Sequence, residues 1–437
     1  MTLRRLRVCD SGRFLVHDDG QPFFWLGDTC WLLFRTMTLD EAEHYLSVRQ
    51  QQGFNVIQAS LVHGLPTQNR FGNQPFVDND PSQPILLGEE NPEGYWEHID
   101  NILTIAEQKS MYMALVPWWG SVVRRKQVSV AQAKAYGAWL AQRFRGRPNI
   151  IWLNGGDTRG DIGQEIWDAL GEAIKAIDTE HLMSYHPVGR TASSMWFHNR
   201  SWLDFNMFQS GHCRYGQAGM DGRTDHYGPD NWRYVEDDYN LTPVKPTIDG
   251  EPSYELIPQG LHDYREPLWQ AHDVRRYAYW SVFAGAFGHT YGHCSVMKMQ
   301  TEDSPRPSLS KPWKEAIFDE GGTQMQHLKN LILSYPYMDR IPDQSVIVGE
   351  QGEKYERVAV TRGKDYLLAY IYTGREFSLR MGVIQGSKVQ AFWYDPRTGA
   401  RTIVGQLENA GVMTFKPPGE HRDGNDWVLI LESAGDE

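Results

Sequence analysis

Two carboxylates close strand-like runs in this chain. Ile150-Ile151-Trp152-Leu153-Asn154-Gly155-Gly156 ends in Asp157, and Pro246-Thr247-Ile248-Asp249-Gly250 ends in Glu251. Each run is apolar, bends at glycine and finishes on an acid. Paired acids at strand ends suit glycoside hydrolysis, in which one carboxyl protonates the leaving oxygen and the other attacks the anomeric carbon. The proton donor must then titrate above the unperturbed value of about 3.9. Burial beside Trp118 or Trp152, and the charge of Glu251, would push Asp157 that way. Glu251 must stay ionised, which calls for donors such as Arg or Tyr. The competing reading makes Asp157 a helix cap and Glu251 a buried salt-bridge partner.

The elements that must position these acids alternate. Strand-like runs cover Phe23–Gly27, Asn55–Val62, Tyr112–Val116, Ile150–Asp157, Leu182–His186, Phe205–Gln209, Val244–Asp249 and Ala286–Tyr291. Helical periodicity fills most gaps: Thr38 and Glu41 form a capping box for a helix stopped by Gly53. Tyr95, Ile99, Ile102 and Ala106 mark the next helix, and Asp161 is placed to cap the one after the fourth strand. A closing helix runs over about Pro312–Leu333, with Gly321-Gly322 interrupting it. The pattern predicts an α/β fold, a (β/α)₈ barrel over residues 1–341, with both acids on its C-terminal face. The spacing between them fits three βα units of roughly thirty residues, placing them on strands four and seven. Asp18-Asp19-Gly20 marks an N-terminal hairpin able to plug the barrel bottom. Residues 342–437 read as short β runs separated by turns, a small antiparallel β-sandwich domain. This domain could bind glycan or buttress the barrel; its aromatics Phe392, Trp393, Tyr394 and Trp427 include core residues, which favours buttressing.

Composition narrows the partners. A net charge of −12 argues against nucleic acid and anionic membranes, and no apolar run is long enough to span a bilayer. Sixteen Trp and 21 Tyr supply faces for packing and for stacking on sugar rings. The 4 cysteines are scattered, with neither zinc nor disulfide spacing. The basic residues at the start have no apolar segment behind them, so the expected compartment is cytoplasmic, or secreted or periplasmic if a leader has been removed. No cofactor or metal is expected: His289 and His293 lie near a strand end rather than on one helix face. Asp221-Gly222-Arg223-Thr224-Asp225 reads as a polar turn, and the sequons at Asn199 and Asn240 read as incidental.

Four stretches carry a family resemblance: Phe24-Trp25-Leu26-Gly27-Asp28-Thr29, Gly53-Phe54-Asn55-Val56-Ile57-Gln58, Trp152 to Asp157, and Asp249-Gly250-Glu251-Pro252. They resemble the apiosidase-like catalytic domains of glycoside hydrolase family 140, in the retaining (β/α)₈ clan A. The last third is similar to the collagen-binding-type β domain that often follows such barrels. The resemblance implies a glycosidase with Asp157 as acid/base and Glu251 as nucleophile, acting on polysaccharide side chains, apiose in pectin among them. It departs from most of the clan, where an Asn-Glu pair ends strand four. Asp is one methylene shorter, and Gly155-Gly156 could let the backbone approach to compensate. Other strand-end residues are candidates for binding the carbohydrate: Asp28, His63, Trp118, Trp119, Asn154, His186, Gln209, His212 and Tyr291. Glycosidases of other specificity, and a non-catalytic carbohydrate- or matrix-binding protein, remain the alternatives.

Overall fold

The structure is a computed structural model and describes residues 3–217, 226–261, 263–303 and 311–434. Eight parallel strands form the barrel: β1 Trp25–Thr29, β2 Val56–Ser60, β3 Tyr112–Val116, β4 Ile150–Thr158, β5 Met183–Pro187, β6 Asn206–Gln209, β7 Thr247–Asp249 and β8 Gly288–Tyr291. A six-stranded ladder runs β8-β1-β2-β3-β4-β5, and β6 pairs with β7. Backbone bonds bridge the two seams: Asp204 N–H donates to Met183 O at 2.8 Å, reinforced by Ser184 Oγ to Phe205 O at 2.6 Å, and Phe287 N–H donates to Thr247 O at 3.1 Å.

Strand alternation sorts the side chains between barrel interior and helix layer. Trp25 points inward, its Nε1 donating to Thr290 Oγ1 at 3.1 Å and its ring meeting Phe205 and Phe287. These rings fill the barrel floor. Gly27 is required above them, because a Cβ there would lie 2.4 Å from Trp25 Nε1. The hairpin seals the lower end, with Phe23 packed edge-on to Tyr112 at the start of β3.

The outer layer includes α1 Leu39–Gln51, α2 Tyr95–Gln108, α3 Val130–Phe144, α4 Gln164–Lys175, α5 Asn231–Tyr239, α6 Ala271–Phe283 and α7 Glu320–Leu333. The Thr38–Glu41 capping box is present. Asp161 does not cap α4; it pairs with Arg159 at 2.7 Å, and Gly163 at φ 67° takes the cap position. Gly321 and Gly322 do not break the closing helix. The break falls earlier, between Trp313–Ala316 and α7, and both glycines lie in the first turn of α7. They permit close approach: Gly321 N–H donates to Glu255 at 3.0 Å, and a Cβ on Gly322 would lie 3.3 Å from the Tyr291 ring. The turn at Asp221–Asp225 lies outside the described residues.

The C-terminal domain comprises β9 Ile341–Pro342, β10 Ile347–Val348, β11 Val358–Arg362, β12 Tyr366–Ile371, β13 Phe377–Arg380, β14 Lys388–Tyr394, β15 Arg401–Glu408, β16 Val412–Phe415 and β17 Trp427–Ser433. A six-stranded antiparallel sheet, β9-β11-β12-β17-β14-β15, faces a three-stranded one, β10-β13-β16. The large sheet lies against α6: Tyr370 stacks on Tyr279 with centroids 4.7 Å apart, and Asp426 takes a bidentate pair from Arg275 at 2.7 and 2.9 Å.

Candidate active site

The upper end of β4 carries a bulge. The register with β5 shifts between Gly155 and Thr158, so Gly156 and Asp157 are looped out of the ladder. Gly155, Gly156 and Asp157 have φ of 95°, 102° and 50°. A Cβ on Gly155 would sit 2.5 Å from His186 O, and one on Gly156 2.9 Å from the Trp119 ring. Glycine alone fits there. Asp157 tolerates the left-handed conformation better than most residues but still pays backbone strain, and such strain concentrates at functional sites.

Glu251 is placed by the bend after β7. Gly250 N–H donates to Phe208 O at 2.8 Å, and Gln58, reaching over from β2, donates its Nε2–H to Gly250 O at 2.8 Å. Asp249 faces the helix layer, accepting from Ser210 Oγ at 2.7 Å and Asn231 Nδ2 at 3.0 Å; burial pushes its carboxyl up to about 6. Glu251 therefore turns toward the barrel mouth. There two imidazoles meet it: His212 Nε2 lies 3.0 Å from Oε1 and His186 Nε2 3.2 Å from Oε2. His186 Nδ1 faces the Asp157 backbone N–H at 3.5 Å. The ring therefore lies between the two acid-bearing segments.

The surroundings drive the two carboxyls apart. Burial pushes Asp157 up, and the charge of Glu251 adds to it, against opposing pulls from His186, His212 and Arg124. Burial would raise Glu251 as well, but hydrogen bonding and charge from His186 and His212 outweigh it and hold the carboxyl down at about 2. The donors are histidines, not the Arg or Tyr expected from sequence. Opposite displacement of two neighbouring carboxyls is the pattern by which one acid keeps its proton and the other its charge.

Aromatic rings wall one side. Trp31 is edge-on to both His186 and Trp119, at 5.0 and 4.8 Å, and His63 lies against Trp119 at 4.7 Å. Burial first, then Lys298 and Arg35, lower His63 to about 4, so it is neutral near pH 7. Tyr254 packs edge-on to His212 at 4.8 Å, and burial together with the Glu251 charge keeps its phenol protonated.

Of the residues singled out in the sequence, Asp157, Glu251, His63, Trp119, His186 and His212 converge here. Gln209 ends β6 with its Oε1 buried and without a hydrogen-bond partner among the described residues. Four candidates point elsewhere. β1 runs two residues past Gly27, so Asp28 takes an outward position, where Arg49 and Tyr45 each donate to its Oδ2 at 2.6 Å. Asn154 also faces outward, donating to Trp167 O on α4 at 2.8 Å. Trp118 stacks on Tyr136 of α3 at 5.1 Å. Tyr291 donates to Glu255, whose carboxylate also accepts from Gly321 N–H at the start of α7, while its neighbour Thr290 faces inward. Sequence reasoning missed Trp31, Tyr254 and Gln58. Each lay within a few residues of a predicted strand end, and Gln58 closed a quoted motif. Among the described residues, no group of three or more His, Cys, Asp or Glu is arranged to hold a metal ion.

Comparison with known proteins identifies the family and agrees with the fold. Residues 9–339 match the family model described as "Apiosidase-like, catalytic domain". Residues 341–432 match "Putative collagen-binding domain of a collagenase". A solved structure described as a glycoside hydrolase shares 47% identity at a TM-score of 0.95, covering 99% of this chain and 98% of that one. A glycoside hydrolase family 5 from Bacteroides vulgatus ATCC 8482 shares 44% identity at a TM-score of 0.94, covering 99% and 94%. An endo-1,4-beta-mannanase from Rhizomucor miehei, 14% identical over 76% of this chain and 100% of its own at a TM-score of 0.50, is alike in fold alone. No curated protein matches the chain.

Proposed function

The chain belongs to the apiosidase-like family of glycoside hydrolases, and from that premise we propose that it cleaves glycosidic bonds with retention, Glu251 as nucleophile and Asp157 as acid/base. The opposed displacement of the two carboxyls around the His186 ring supports one as proton donor and the other as the ionised partner, and the family resemblance supplies retention and so the nucleophile role of Glu251. Ionised Glu251 attacks the anomeric carbon while Asp157 protonates the departing oxygen. A glycosyl ester forms on Glu251, and Asp157 then takes a proton from the water that releases the sugar. His186 and His212 stabilise the carboxylate before attack and again when the ester breaks. Trp119 and His63 offer apolar ring surface to the sugar. The substrate we propose is a furanoside side chain of pectin, apiose above all, as the family resemblance implies.

Incubation with apiose-containing pectic oligosaccharides tests this. Wild-type enzyme should release free sugar, and Glu251→Gln, which keeps shape but not charge, should release none above background. Full activity in Glu251→Gln would overturn the assignment of the nucleophile. Release of a different sugar from a panel of glycans would keep the mechanism and replace the substrate.

A further inference from the structure

The loop carrying His212 touches the C-terminal domain. Tyr215, three residues on, lies edge-on to Tyr355 with centroids 5.1 Å apart, and Tyr355 belongs to the segment leading into β11. A second route is longer but better buried. Arg276 of α6 is fully buried and donates to Asp273 Oδ1 at 2.7 Å; among the described residues its Nε and Nη2 have no hydrogen-bond partner. Aromatic faces surround the guanidinium instead. The two nearest, Tyr355 at 4.5 Å and Tyr372 at 4.7 Å, come from the C-terminal domain, and Trp269 lies at 5.8 Å on the barrel side. A buried cation with so few hydrogen bonds depends on those faces. Trp269 in turn donates its Nε1–H to the His212 carbonyl at 3.0 Å.

Resting on the reading of Glu251 as nucleophile, we propose that Tyr355 of the C-terminal domain is a positioning residue for catalysis. Through Arg276 and Trp269, and through Tyr215, it fixes the His212 backbone so that the imidazole stays hydrogen-bonded to Glu251. The domain is then a structural part of the active site, acting by packing and without touching substrate.

The deciding readout is the His212–Glu251 hydrogen bond without substrate, so that arm stands whether or not the pectic substrate is right; the kinetic arm uses whichever glycan the enzyme is found to cleave. In proton NMR of the full chain, the His212 Nε2–H should appear as a downfield resonance that disappears in His212→Gln. Tyr355→Ala should make that proton exchange with water about tenfold faster or more, and should lower kcat with little change in KM. Tyr355→Phe keeps the ring and should behave as wild type. Tyr355→Leu keeps apolar volume without a π face, should behave as Tyr355→Ala, and takes its place if that variant does not fold. Tyr394→Phe removes another interdomain hydrogen bond, to His327 O at 2.8 Å, and should leave the resonance unchanged. The proposal is overturned if Tyr355→Ala or Tyr355→Leu lowers the melting temperature while the resonance and its exchange rate stay as in wild type.

Discussion

Asp157 joins a left-handed backbone, at φ 50°, to a carboxyl raised by burial and by the nearby Glu251 charge. Both features cost stability, and they separate under substitution. A carboxyl raised in the folded state destabilises the fold as pH rises from its unfolded value through its folded one, since the native state there binds the extra proton. Asp157→Asn removes that charge and keeps a residue at ease in the left-handed region. It should melt no lower than wild type at neutral pH while losing about 10²–10⁴ in kcat/KM. Asp157→Ala loses the same activity but should be less stable than Asp157→Asn by about 1 kcal/mol, measurable by urea denaturation. Glu251 has the opposite sign. Held at about 2 against an ordinary 4.5, it stabilises the fold above pH 4.5, and that contribution fades as pH falls toward 2.

At the scale of elements, the bulge at the end of β4 is what brings the shorter acid forward. Gly155→Ala places a Cβ at φ 95° against the His186 carbonyl. It should cost at least about 1–2 kcal/mol and reduce kcat, because Asp157 and His186 shift together. A variant with wild-type urea midpoint and turnover would show that the bulge does not set the geometry. Strand parity also explains what the sequence revealed and what it hid. The apolar runs were legible as strands, and Asp157 and Glu251 as their ends. Parity at the last residues was not, because a strand end displaced by one or two residues swaps inward for outward positions. Asp28, Asn154 and Tyr291 look like mouth residues from spacing but fall on the outward register. The role of His186 and His212 as the donors that hold Glu251 ionised depends on contacts between strands far apart in sequence, which spacing does not encode.

At the scale of the molecule, the alternation of strand and helix, then its replacement by short β runs, was readable from periodicity alone. The union of the two domains was not. It rests on Arg275 with Asp426 and on the aromatic cage around Arg276, buried residues apart from the half-buried Tyr355, with partners far away in the chain. Arg275→Ala leaves Asp426 buried and unpaired, and should cost about 3–5 kcal/mol. In calorimetry the C-terminal domain should then melt ahead of the barrel, whereas an unchanged single transition would show that the ion pair does not couple them.

The central claim is double displacement at Glu251, and the anomeric configuration of the first-formed product tests it most directly. Proton NMR during early turnover, before mutarotation, should show the released sugar in the configuration of the bond that was cleaved. The inverted anomer would contradict the covalent intermediate and reassign Glu251 from nucleophile to general base.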